Sequence, residues 1–130
     1  MKKAFFLLLV FPMIFVSCSK SGSPDDVDQR ILNTDWEIPF SSAIPYFDIR
    51  LLSDGTWSEI TSTSTGTWTS KNSGGVIETS ESTSVPGFGS FNTKVTYTIT
   101  DVTDTSWTAD YSVRINGTNT ANGTAVMTPL

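Results

Sequence analysis

The chain has 130 residues, with thirteen Asp and Glu against eight Lys and Arg, no His and a single Cys. An acidic surface repels phosphate backbones, so nucleic acid is excluded as an expected partner, and one thiol cannot close an intramolecular disulfide. Without His, Ser-His-Asp catalysis and His-containing zinc sites are out of reach, and a chain of this length supplies one core rather than two.

In chain order, Lys2 and Lys3 precede an apolar run from Ala4 to Val16 that ends in Phe15-Val16-Ser17-Cys18. A basic start, an apolar centre and a small-residue exit have the order of a secretory signal. The run is short for a membrane span and Pro12 interrupts it. Because it closes on the only Cys, it resembles a bacterial lipoprotein signal. That resemblance implies removal of residues 1–17, lipidation of Cys18 with palmitate-type chains, and a membrane anchor through the N-terminal lipid. The expected place is then the cell envelope, as an outer-membrane lipoprotein facing the periplasm or the surface; the alternative is an ordinary signal peptide with an incidental Cys. Removal of 1–17 leaves six basic residues against thirteen acidic ones, a net charge of −7.

Residues 18–30 are polar and contain Gly22, Pro24 and several Ser, the composition of a flexible tether. Asp25, Asp26 and Asp28 lack the Gly and the distant Glu of a calcium-binding EF-hand loop. One helical turn is expected through Val27 to Leu32.

Residues 31–130 read as the globular domain. Trp36, Ile38 and Phe40 alternate with Glu37 and Pro39, a half-buried strand with Pro39 marking an edge or bulge. Phe47, Ile49 and Leu51 alternate with Asp48 and Arg50 in a second strand, which sends Arg50 outward, and Asp54-Gly55 is a hairpin turn. Thr56–Ser64 and Thr67–Ser70 follow as strands three and four, anchored by Trp57 and Trp68. Strand five is expected over Val76–Ser82, with Ile77 inward, and Thr83–Asn92 as the longest irregular stretch. From Thr93 the two-residue rhythm is plainest: Val95, Tyr97 and Ile99, then Trp107, Ala109, Tyr111, Val113 and Ile115. Asn116-Gly117 turns the chain into a last strand, Thr118–Met127, although Asn122-Gly123 is an alternative corner. The sum is all-β: about eight short strands in sequential hairpins, a small antiparallel meander barrel or sandwich with one wet face.

Leu32-x-x-x-Trp36, Asp54-Gly55-Thr56-Trp57, Gly66-Thr67-Trp68, and Tyr97-x-Ile99-Thr100 followed by Trp107 together resemble the lipocalin-like domains of small lipoproteins in the Bacteroidetes group. Thr34 stands where that family usually has Gly. The resemblance spans residues 31–130 and implies a barrel that in larger relatives holds an apolar ligand; at this size the interior can equally be filled by its own rings.

Candidate binding residues are the aromatics. Trp57, Trp68, Tyr97, Trp107 and Tyr111 are read as interior, where they would either line a ligand cavity or pack as core. Phe88 and Phe91 lie in a Gly-flanked stretch that could lid a barrel mouth, meet a partner or plug the barrel. Glu37, Glu59, Glu78 and Glu81 are the carboxylates open to acid-base chemistry, and all four read as a solvated outer face. Glu78 and Glu81, three apart on a strand, fall on opposite sides and cannot act as a pair. The expectation is therefore a non-catalytic protein with no cofactor and no metal site. It would bind a small apolar molecule or serve as an accessory module, the alternative being a carbohydrate-binding module that uses exposed aromatics. Asn116-Gly117-Thr118 and Asn122-Gly123-Thr124 match glycosylation sequons but read as turn residues.

Overall fold

A computed structural model describes residues 26–130; the signal segment, Cys18 and most of the tether lie outside the described residues. Eight strands form a closed antiparallel barrel in sequence order: β1 (Asp35–Glu37), β2 (Asp48–Leu51), β3 (Thr56–Ser58), β4 (Thr65–Lys71), β5 (Val76–Val85), β6 (Gly89–Val102), β7 (Trp107–Ile115) and β8 (Thr118–Pro129). Closure is made by β1 against β8, with Trp36 opposite Pro129 and Glu37 opposite Thr128. The expected meander is therefore the observed one, with no α-helix among the described residues.

Alternation sends Ile77 and Thr79 on β5, Val95 and Tyr97 on β6, and Trp107, Ala109, Tyr111 and Val113 on β7 to the inside, where all are buried. Trp36 meets Trp107 edge to face at 6.4 Å, and Trp107 meets Tyr97 at 5.6 Å. An eight-stranded barrel leaves an interior that side chains can fill, and here these rings fill it.

The two ends of the barrel differ. At the end where the described chain enters, Val27, Ile31 and Leu32 are buried beneath the sheet. Trp36 donates its indole N–H to the Ile31 carbonyl at 2.8 Å, fastening this entry segment to β1. The turns after β2, β4 and β6 lie at this entry end, and Arg30 reaches Asp104 in the last of them at 3.2 Å. The connections after β1, β3, β5 and β7 lie at the opposite end, here called the loop end.

Several boundaries differ from the sequence reading. The first strand stops at Glu37, so Ile38 is buried but Phe40 projects into solvent, 91% exposed. The third strand stops at Ser58, because the buried carboxylates of Asp48 and Glu59 hold the following residues as a loop. Phe47, expected inside, precedes β2 and is exposed. Thr83–Asn92 is mostly strand: β5 runs to Val85, Gly87 and Gly89 take φ of 84° and 93°, and β6 starts at once. Their freedom at positive φ makes a tight turn where Gly had suggested a long loop. The last strand begins at Thr118, and Gly123 is not a corner. It faces Tyr111, whose ring covers it so closely that a Cβ there would stand 2.6 Å from the hydroxyl.

Candidate functional site

Of the expected ligand residues, Trp57, Trp68, Tyr97, Trp107 and Tyr111 are all buried. The fold uses several as latches. Trp57 donates to the Ser80 carbonyl at 3.2 Å and Trp68 to the Leu52 carbonyl at 2.8 Å, which ties β3 to β5 and pins the β2–β3 turn. The Tyr111 hydroxyl accepts the Ala43 N–H at 2.9 Å. The Tyr97 hydroxyl and the Trp107 indole N–H are buried without a hydrogen-bond partner, and burial raises the Tyr97 phenol above its ordinary pKa.

The loop end is covered by the chain between β1 and β2. Ala43 is held by Tyr111, while Tyr46 packs on Trp57 at 4.8 Å and donates to Glu81 at 2.7 Å. Burial, then the bond to Glu81, raise the Tyr46 phenol above its ordinary value. Glu59 accepts the Phe47 N–H at 2.8 Å and the Ser62 hydroxyl. Asp48 accepts the N–H of Ile60, and the N–H and hydroxyl of Thr61 at 3.2 and 2.6 Å. These two carboxylates cross-brace the β1–β2 and β3–β4 loops. Glu59 and Asp48 are thus buried structural acceptors; for Glu59 this corrects the solvated outer face expected from its Ser- and Thr-rich neighbourhood.

Glu78 and Glu81 do take opposite faces. Glu78 lies outside with Lys71 at 3.3 Å and Lys94 at 3.1 Å, and Glu81 reaches Tyr46. Partial burial pushes Glu78 upward, but the two ammoniums outweigh it and hold its carboxyl below the usual range. Arg50 points outward as expected and forms a two-pronged bridge to Asp35, its register partner on β1, with Nη2 at 2.6 Å from Oδ2.

What remains accessible is a rim. Of nine exposed large hydrophobics among the described residues, seven belong to the loop end: Phe40, Phe47, Ile60, Val85, Phe88, Phe91 and Ile115. Phe88 tips the β5–β6 turn at 81% exposed, and Phe91 lies behind it on β6, half-exposed at 37%. Pro39, Phe40, Ile44, Pro45 and Phe47 contribute to a hollow of about 210 Å³ in the β1–β2 loop. Phe88, between Gly87 and Gly89, and Phe91 just beyond them stand out in the sequence as apolar residues of a Gly-containing stretch. Phe40 and Phe47 do not, since both extend an alternating pattern and only the end of the strand exposes them.

Comparison with known proteins finds no matching family model, no matching curated protein and no matching solved structure.

Proposed function

We propose that the chain is a non-catalytic, lipocalin-like accessory lipoprotein of the cell envelope, anchored through Cys18, that engages an apolar ligand or partner surface with the rim of its loop end. The carrying observation is the placement of seven exposed hydrophobic side chains in, or on the strand ends beside, the four connections at one end. Isolated surface hydrophobics need no explanation, whereas their concentration at one end of a small domain marks an interaction surface. The chain enters at the other end, so a lipid on Cys18 would leave the rim pointing away from its membrane. The interior supports binding less well, because Trp36, Trp57, Tyr97 and Trp107 occupy it. A non-catalytic role is supported by the carboxylates: Asp48, Glu59, Glu78 and Glu81 are all engaged in structural bonds.

The test is titration of the full chain with a fluorescent fatty acid. Saturable binding is expected, weakened about fivefold or more in a Phe40→Ser/Phe88→Ser double variant, the scale of losing two apolar anchors. Trp107→Phe, which alters only the interior, should leave it unchanged. Equal binding by wild type and rim variant would refute the rim as the site.

A further inference from the structure

At the loop end, beside the β7–β8 turn, lies a hollow of about 350 Å³ whose walls include Ser80, Asn92, Thr93, Lys94, Arg114 and Gly117. Lys94 and Arg114 are direct partners in the β6–β7 register. Like charges placed opposite one another on a sheet are unfavourable by themselves. Lys94 is partly neutralised by Glu78 at 3.1 Å. Arg114 is different. Every other cation among the described residues has a carboxylate within reach: Arg30 has Asp28 and Asp104, Arg50 has Asp35, and Lys71 and Lys94 share Glu78. In a protein with five more acids than bases, Arg114 is thus the one cation among the described residues that no carboxylate holds.

The backbone around Arg114 is built with some care. The register of β7 against β8 shifts here: Val113 pairs with Ala121 and Arg114 with Asn119, so Thr120 on β8 is left over while Arg114 keeps its place opposite Lys94. Asn116, at φ 50°, bridges from the turn to β6: its N–H donates to the Asn92 carbonyl at 2.9 Å, and its Oδ1 accepts the Asn92 N–H at 2.9 Å. Asn92 is thereby fixed by its backbone while its carboxamide stays uncommitted at the cavity. Glu81 also contributes to the wall; its carboxylate accepts the Tyr46 hydroxyl at 2.7 Å and forms no ion pair with Arg114.

From this juxtaposition we infer that the cavity is a binding site for a small hydroxylated carboxylate, of the class of a uronic-acid sugar. The Arg114 guanidinium offers a planar fork that matches a carboxylate in two-pronged fashion, and Lys94 supplies a second charge. The carboxamide of Asn92 and the hydroxyls of Ser80 and Thr93 are the groups that hydrogen-bond sugar hydroxyls. This site is independent of the apolar rim, and either can fail without the other.

The experiment is calorimetric titration of the full chain with D-galacturonate, D-galactose and acetate at low salt. Saturable binding of galacturonate is expected, with galactose and acetate each weaker by about tenfold or more, since each keeps only half of the recognition. Arg114→Gln should weaken galacturonate about tenfold and Asn92→Ala severalfold, with unchanged far-UV circular dichroism. Phe88→Ser should have no effect on it. Absence of saturable galacturonate binding, indifference to Arg114→Gln, or acetate binding as tightly as galacturonate would each overturn the proposal.

Discussion

The indole of Trp57 lies across the backbone of Gly66, its register partner on β4, and reaches the Ser80 carbonyl on the strand beyond, 3.2 Å away. The reach depends on what Gly66 lacks. A Cβ at position 66 would stand 2.0 Å from the Ser80 oxygen and 2.6 Å from the Trp57 nitrogen. One contact is to backbone and the other to a fully buried ring, so neither can yield cheaply. Gly66→Ala is expected to destabilise the domain by about 2–3 kcal/mol, as overpacking of a tight site does. Urea unfolding followed by tryptophan fluorescence measures this, and a loss below about 0.5 kcal/mol, ordinary for a surface position, would refute the tight fit.

Much of this fold was legible because a strand's period is two and its turns are chemically marked. Val95 through Ile99 and Trp107 through Val113 face inward as their alternation requires. Asp54 caps its turn as an Asp-Gly corner should, accepting the Thr56 N–H at 2.9 Å. Alternation reports which way a residue points only while the strand lasts, and it does not report where the strand stops. Phe40 and Phe47 continue the pattern past the ends of β1 and β2 and so end up in solvent. Asp48 points outward as expected, yet the β3–β4 loop folds over it. Such covering is a tertiary event with no local periodic signal. The cavity beside Arg114 was equally hidden, since it depends on β6 and β7 aligning Lys94 with Arg114.

Asp48 predicts a loop-specific defect. It is 1% exposed and satisfies the backbone N–H groups of Ile60 and Thr61 together with the Thr61 hydroxyl. Asp48→Ala strips partners from these donors at once, and about 2–4 kcal/mol of destabilisation is expected from the unsatisfied groups. Asp48→Asn keeps one acceptor oxygen and should cost less. Amide hydrogen exchange discriminates a latch from a general core defect: Ile60 and Thr61 should lose protection first, while Tyr97 and Tyr111 stay protected.

Alkaline pH should loosen the cover of the loop end. The folded state raises the Tyr46 phenol through burial and the bond to Glu81, and raises Tyr97 through burial. An unfolded tyrosine ionises near pH 10. The stabilising preference for the neutral phenols is therefore complete below about pH 10 and is lost as pH rises toward the higher folded values. Tyr46→Phe should cost about 1 kcal/mol at pH 7 by deleting one hydrogen bond, and it should flatten the decline between pH 9 and pH 11, roughly the interval bracketing phenol ionisation. Urea titrations across that interval provide the check, and parallel curves for variant and wild type would contradict it.

Glu78 carries the opposite sign and connects stability to the anion cavity. Its folded carboxyl lies below the ordinary range because Lys94 and Lys71 outweigh its partial burial. Above an unfolded Glu pKa of about 4.3 its contribution is fully present, and it is lost as pH falls through the lower folded value. Both lysines are half-exposed, so screening limits the effect to under about 1 kcal/mol at neutral pH. Glu78→Gln should make acid unfolding shallower. The same substitution frees Lys94, which stands opposite Arg114, and removes a negative charge from the neighbourhood. If the two cations act together on one carboxylate ligand, galacturonate affinity should rise about two- to threefold in the variant, the size of a screened surface charge interaction. A fall in affinity would mean that Glu78 positions Lys94 for the ligand rather than competing with it.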